Sequence, residues 1–243
     1  MDLHGRVAIV TGAAQGIGAA VAAKLHAGGA DVVIADLNGA KAEEVAAQLG
    51  GLAVETDVSS ETDVDRMVAT TLERHGKVDI LVNAAAIVPF VAWDDVDYAY
   101  WRKIISVNLD GAYLTARAVE GPMRAAGYGR IVLIASNAFY AGTPNMGPYV
   151  AAKGGVVGLT RALASELGKY GITANAVAPG ITETDAVLGS PHKDSLDFVQ
   201  SLQAIPRHAV PSDIAPAVAF LASEESGWVT GQVLVADAGH IRD

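Results

Sequence analysis

Tyr149 and Lys153 lie four residues apart in a stretch, 149–170, whose composition predicts a helix, so both side chains project from one face. A phenol titrates near pH 10 and exchanges a proton with an alcohol near neutrality only with help. A neighbouring ammonium gives that help by favouring the phenolate. In a chain with seven tyrosines the pair needs company before it means anything. Ser136 supplies some: it closes the apolar run 131–135, thirteen residues before Tyr149, where its hydroxyl would reach a substrate oxygen. A serine at a strand end also serves as a turn or cap. Asn108, a polar residue in the apolar run around Val107 and Leu109, reads either as a site residue or as a satisfied buried amide. The chemistry on offer is proton exchange with the oxygen of an alcohol or carbonyl.

A second group binds rather than reacts. Thr11-Gly12-Ala13-Ala14-Gln15-Gly16-Ile17-Gly18 falls between a predicted strand and a predicted helix. There glycines let backbone approach a pyrophosphate and the helix N-terminus supplies positive charge. Alone, the cluster also fits a tight turn that needs positive φ. Asp36, at the end of the next strand and 18 residues beyond Gly18, stands where a carboxylate meets the ribose hydroxyls of adenosine. A 2′-phosphate there would face that carboxylate, and neither residues 12–18 nor Leu37 offers a cation, so NAD is favoured over NADP. Asp57 and Val58, at the end of strand three, read as an adenine contact, or Asp57 as a cap.

The elements that must position these groups alternate. Strands are predicted at 7–11, 31–36, 52–56, 79–82, 129–135 and 173–177, and helices at 17–27, 41–49, 61–74, 100–126 and 149–170. Such alternation implies right-handed βαβ units, a Rossmann-type doubly wound parallel sheet in one α/β domain, and ligands at the carboxyl ends of the strands. Residues 180–212 break the rhythm with Gly, Ser, Pro and a short helical stretch at 196–202, the pattern of a substrate loop or lid.

Composition narrows the function classes. The 243 residues are 51% hydrophobic with few aromatics, which suits strands buried on both faces. With no cysteine there are no disulfides, thiolate metal sites or cysteine nucleophiles. A net charge of −10 with scattered Lys and Arg argues against nucleic acid as a partner. The longest largely apolar stretch, 80–93, is interrupted by Asn83 and Pro89 and falls short of the roughly 20 residues of a membrane span. The opening residues lack the apolar core of a signal peptide, so the expectation is a cytoplasmic protein without metal.

Over nearly its whole length the sequence resembles the classical short-chain dehydrogenase/reductases. The resemblance rests on the Thr11 to Gly18 motif, Asp57, Asn83, Asn108, Ser136, Tyr149 with Lys153, Pro179-Gly180 and Thr230-Gly231-Gln232. It implies a catalytic tetrad of Asn108, Ser136, Tyr149 and Lys153, hydride transfer between nicotinamide and an alcohol or carbonyl, and a role for Lys153 on the nicotinamide ribose. Asn108 would anchor a water in a proton relay. Gly12, Gln15, Gly16, Ile17, Gly18, Asp36, Asp57, Val58, Asn83, Pro179, Gly180, Thr182 and Thr184 would contact the cofactor. Two departures stand out: Asn83-Ala84-Ala85-Ala86, where the family has Asn-Asn-Ala-Gly, and Asp237-Ala238-Gly239, where it has Asp-Gly-Gly.

Segments 87–93, 136–140 and 202–206 resemble the subgroup acting on aromatic alcohols, pyridoxal 4-dehydrogenase first and 1-phenylethanol dehydrogenase second. Pyridoxal would be oxidised from hemiacetal to lactone. Phe139, Met146 and Phe198 would then form an apolar wall and Asn137 would read a ring heteroatom or hydroxyl, although such aromatics also simply pack a lid. The glycines after Tyr149 imply close packing of that helix against a neighbouring element or subunit, in line with the family's homotetramers. The competing readings are a 3-oxoacyl reductase-like carbonyl reductase and a non-catalytic NAD binder on the same fold.

Overall fold

A computed structural model describes residues 2–88 and 90–242; Met1, Asp243 and Pro89 of the 87–93 segment lie outside the described residues. Seven strands form one parallel sheet in the order β3-β2-β1-β4-β5-β6-β7. They are β1 Val7–Thr11, β2 Asp31–Asp36, β3 Leu52–Glu55, β4 Ile80–Asn83, β5 Gly129–Ile134, β6 Ile172–Pro179 and β7 Val233–Ala236. The central strands are buried along their whole length, as β-branched and leucine runs covered on both faces must be. Alternate residues feed two cores. Val10, Ile34, Val82 and Val132 pack under α1 (Gly16–Ala27) and α10 (Pro211–Leu221). Ile9, Val33, Leu81 and Ile131 pack under α3 (Glu61–His75), α5 (Gly111–Ala126) and α7 (Gly147–Leu167). The chain also forms α2 (Gly39–Leu49), α4 (Tyr98–Ile105), α6 (Ala138–Ala141), α8 (Asp185–Leu188) and α9 (Leu196–Leu202).

The order reverses between β1 and β4, which pair directly (Thr11 beside Asn83), and this switch point opens the cleft at the strands' carboxyl ends. Three features differ from the predicted pattern besides the short α6 and α8: strand β7, helix α10, and a break in the helix expected at 100–126. There Ser106–Asp110 winds as a π-helix between α4 and α5. Residues 180–212 hold α8, a 3-10 turn Pro191–Ser195 and the expected helix at 196–202. A bridge between Thr182 and Ala209 closes the ends of this excursion. No helix is long and apolar enough to cross a membrane among the described residues.

Candidate active site

One cleft of about 450 Å³ runs from Asp36 and Leu37 at one end to Phe90, Met146, His192 and Val199 at the other. Its first half is built by the β1–α1 turn. Gly12 and Gly16 have φ of 64° and 57°, the left-handed region glycine enters without strain. A Cβ at Gly12 would strike the Ala85 backbone at 2.6 Å, and one at Gly18 would lie 2.2 Å from the Gly12 carbonyl oxygen. Gly18 thus serves close packing, Gly16 serves conformation and Gly12 serves both. Gln15 caps α1 without a side-chain hydrogen bond to the helix N–H groups and no acidic residue occupies the first turn, so the positive end of the helix stays open to the cleft. Thr184 packs its methyl over Gly16, with a Cβ there 3.3 Å away, which brings the segment after Gly180 onto the glycine turn. These features fit the pyrophosphate of a dinucleotide.

Asp36 holds the turn as well as facing the cleft: its carboxylate accepts from the backbone of Ala14 (3.0 Å) and Asn38 (2.9 Å). The expectation that no cation comes near is corrected. Lys41, on the first turn of α2, donates to Gln15 Oε1 at 3.0 Å, so one ammonium reaches this end through tertiary contact. Asp57 caps its own turn by accepting from Ser59 (backbone 2.9 Å, hydroxyl 2.7 Å) while lining the cleft with Thr56 and Val58. Both readings of Asp57 are therefore compatible with its placement. Ile17, Pro179, Gly180 and Thr182 also line the cleft. Asn83 does not: its amide turns away to Thr115 Oγ1 (3.0 Å) and the Gly111 carbonyl (3.4 Å), tying β4 to α5. A side-chain contact between Asn83 and a cofactor is thereby corrected to a structural bond.

The reactive half centres on Tyr149, Ser136 and Lys153, which all line the cleft. Pro148 in the first turn fixes the start of α7, two turns of which carry Tyr149 and Lys153 on its buried face. Burial pushes the Tyr149 phenol up to about 12, and a hydrogen bond with Ser136 works in the opposite direction. Burial pulls the Lys153 ammonium down to about 8; its Nζ donates to the Ile134 carbonyl at 2.7 Å and lies 5.5 Å from the Tyr149 ring centre. Burial is the first cause of both shifts, and the phenol of the chain on its own is a proton donor.

Asn108 sits in the π-helical segment, just behind Val107, which forms the cleft wall. Its Nδ2 donates to the carbonyls of Ile87 and Ile104, both at 3.0 Å, while its buried Oδ1 has no partner among the described residues. An orphaned acceptor in a π-bulge beside a reactive pair suits a bound water, since such groups are rarely left unsatisfied.

The expected apolar wall is partly corrected. Met146 lines the cleft, but Phe139 lies against Gly154 and stacks edge-on with Tyr140, and Phe198 is 66% exposed. The reason is helical phase: Ser195 and Val199 point inward from α9 and its approach, which rotates Phe198 outward. Asn137 lines the cleft, yet its Nδ2 is engaged by Asp237 Oδ2 at 3.1 Å. Two glycines of α7 are explained within the chain, Gly154 by Phe139 and Gly155 by Leu109. Sequence reasoning missed Ile87, Phe90, Thr143, His192 and His240, all on the cleft wall. Ala86 lies on that wall too, with its methyl added where the family has glycine. Among the described residues no cluster of His, Asp or Glu could hold a metal.

A family model described as Enoyl-(Acyl carrier protein) reductase matches residues 12–240. The chain is 41% identical over 244 residues to subunit BbsD of a hydroxy(phenyl)methylsuccinyl-CoA dehydrogenase from Thauera aromatica, covering 98% of each chain. It is 40% identical over 241 residues to cis-4-hydroxycyclohexanecarboxylate dehydrogenase from Sinomonas cyclohexanicum, covering 97% of this chain and 96% of that one. A crystal structure from Sinorhizobium meliloti, assigned as a short-chain alcohol dehydrogenase, superimposes with a TM-score of 0.93 at 34% identity, covering 98% and 97% of the two chains.

Proposed function

The chain belongs to the short-chain dehydrogenase/reductase family, and from that premise we propose that it is an NAD-dependent dehydrogenase of small ring-bearing alcohols. The family is one of nicotinamide-dependent oxidoreductases acting on alcohols and carbonyls. The observation that carries the reading is the pairing of Ser136, Tyr149 and a fully buried Lys153 with an orphaned Asn108 acceptor, at the head of a cleft whose other end presents Asp36. A non-catalytic binder would have no use for a buried lysine held beside a buried phenol.

The residues divide the work. The glycine turn and the open end of α1 take the pyrophosphate, Asp36 the adenosine ribose, and Thr182 and Thr184 the segment near the nicotinamide. When bound, the oxidised nicotinamide supplies the hydride acceptor and a second positive charge beside the phenol. Ser136 orients the substrate oxygen, and Tyr149 exchanges its proton. Lys153 favours the phenolate while charged and passes the proton toward a water held by Asn108 Oδ1. Residues 180–212 act as the substrate loop.

Asp36 supports NAD, because a 2′-phosphate would meet its carboxylate, and Lys41 is committed to Gln15. The ring-bearing substrate is supported by the apolar wall of Phe90, Met146 and Val199 and by relatives named for phenyl and cyclohexane alcohols. Pyridoxal, as its cyclic hemiacetal, belongs to this class. The outer faces of α5 and α7, where Tyr113 is exposed and Gly158 opens onto free space, suit a homotetramer, which light scattering would detect.

The test is initial-rate formation of reduced cofactor with NAD or NADP on pyridoxal, 1-phenylethanol, cyclohexanol and cis-4-hydroxycyclohexanecarboxylate. Turnover with NAD that Tyr149→Phe lowers by at least about 100-fold supports the reading. Preference for NADP would overturn the cofactor assignment, and silence in both directions would favour a binder.

A further inference from the structure

The substrate end of the cleft carries two imidazoles that the hydride-transfer chemistry does not use. His192, in the 3-10 turn Pro191–Ser195, is 8% exposed and lines the cleft. Its ring is held edge-on by Phe90 (centres 5.1 Å apart, 81°), and its backbone N–H donates to Ser190 Oγ at 3.3 Å. Yet its buried Nε2 has no partner among the described residues. A fixed imidazole with an unpartnered nitrogen, on the wall of a ligand cleft, donates to a ligand when that nitrogen carries the ring hydrogen.

His240 comes to the same cleft from the C-terminal loop. Asn137 Nδ2 donates to Asp237 Oδ2 at 3.1 Å and faces His240 Nδ1 at 3.4 Å. An amide nitrogen only donates, so Nδ1 is the bare nitrogen and the neutral ring carries its hydrogen on Nε2. Asp237, the carboxylate beside His240, is saturated by Asn137 and the backbone of Gly239, His240 and Ile241. Of the other cleft-lining acids, Asp36 and Asp57 belong to the cofactor half and Asp185 opens α8 on the substrate loop.

We propose that His192 and His240 form an acceptor-binding end of the substrate pocket that takes the carboxylate of a compact cyclic hydroxy acid, whose hydroxyl meets Ser136 and Tyr149. Phe90, Met146 and Val199 would hold the ring between the two polar ends. The alcohol end of this inference rests on the dehydrogenase reading; the acid end rests on the imidazoles alone.

The experiment has two readouts. First, cyclohexanecarboxylate, which cannot be oxidised as an alcohol, is titrated calorimetrically into the protein with and without NADH, with cyclohexylmethanol as the uncharged comparison. Second, kcat/KM is measured for cis-4-hydroxycyclohexanecarboxylate and for cyclohexanol. Wild-type protein should bind the carboxylate the more tightly. His192→Leu should weaken that binding, and lower the hydroxy-acid to cyclohexanol specificity ratio, by about 10- to 100-fold, the worth of a hydrogen bond to a charged group. His192→Gln, which keeps a donor, should recover most of the ratio. Equal binding of the two titrants, or a loss in His192→Leu that falls equally on both alcohols, would overturn the proposal and leave His192 a packing residue of the loop. If no alcohol is oxidised but His192→Leu still abolishes carboxylate binding, the acid end stands and the dehydrogenase reading falls.

Discussion

Replacing Lys153 by Met should stabilise this protein while disabling it. Lys153 is 2% exposed, and its ammonium makes one hydrogen bond, 2.7 Å to the Ile134 carbonyl. Burial lowers its pKa from 10.5 to about 8, which corresponds to a penalty of about 3 kcal/mol for the charged form at pH 7. Met fills a similar volume without charge, and losing the bond to Ile134 costs about 1 kcal/mol, leaving a net gain of about 2 kcal/mol. The pH dependence is a matter of linkage. Below pH 8 both folded and unfolded lysine are protonated and the penalty is complete. Between 8 and 10.5 the unfolded state binds more protons, so wild-type stability rises with pH, whereas the variant has nothing to recover. The advantage of the variant should shrink by about 2 kcal/mol between pH 7 and 9.5. Tyr149, whose folded pKa is raised to about 12 from 10, exerts the opposite trend only above pH 10 and leaves this window clear. The assay is urea unfolding of both proteins at pH 7, 8.5 and 9.5, at one protein concentration and without nucleotide. A variant less stable than wild type at pH 7, or a difference that does not change with pH, would refute the reasoning. Hydride transfer should fall by at least about 100-fold in the same variant.

Gly18→Ala would place a methyl 2.2 Å from the Gly12 carbonyl oxygen, so α1 must move; nucleotide binding followed by fluorescence should be lost and stability should drop by about 3 kcal/mol. Ala238 has φ of 58°, and Ala238→Gly should raise stability by about 1 kcal/mol, seen as a melting temperature higher by about 2–4 °C. Phe198→Ser, at a position 66% exposed and off the cleft, should change stability by no more than about 0.5 kcal/mol and leave KM unaltered.

Legibility in the sequence tracks the range of the interactions involved. Strand-turn-helix alternation and the glycine spacing are local, and the glycine turn, Asp36, Ser136, Tyr149 and Lys153 all converge on one cleft. Strand β7 is not among the predicted strands: Val233, Leu234, Val235 and Ala236 follow a Thr230-Gly231 break, but the run is short and half exposed. The errors occur where a side chain has two directions to choose from. Asn83 ends its strand at the cleft, yet Thr115 offers its amide a buried partner on α5, and a satisfied buried amide wins over an expectation from position alone. Phe198 drew attention because it is aromatic, but the phase of α9 sends Val199 inward instead.

The histidines were illegible for a different reason. His192 means little until the fold buries it without a partner, and the tautomer of His240 is set by Asn137, 103 residues away in sequence. The loop is also held by long-range bonds, with the backbone of Ala204 and Ile205 donating to the carbonyl of Ala238, at the strained position two residues before His240. The same contacts that place α9 over the cleft therefore position the C-terminal imidazole. The catalytic residues ride on regular elements that the local sequence specifies and the selective half is set by contacts of the loop and the C-terminal turn, so substrate choice in this fold can change through those two segments while Ser136, Tyr149 and Lys153 stay where β5 and α7 put them.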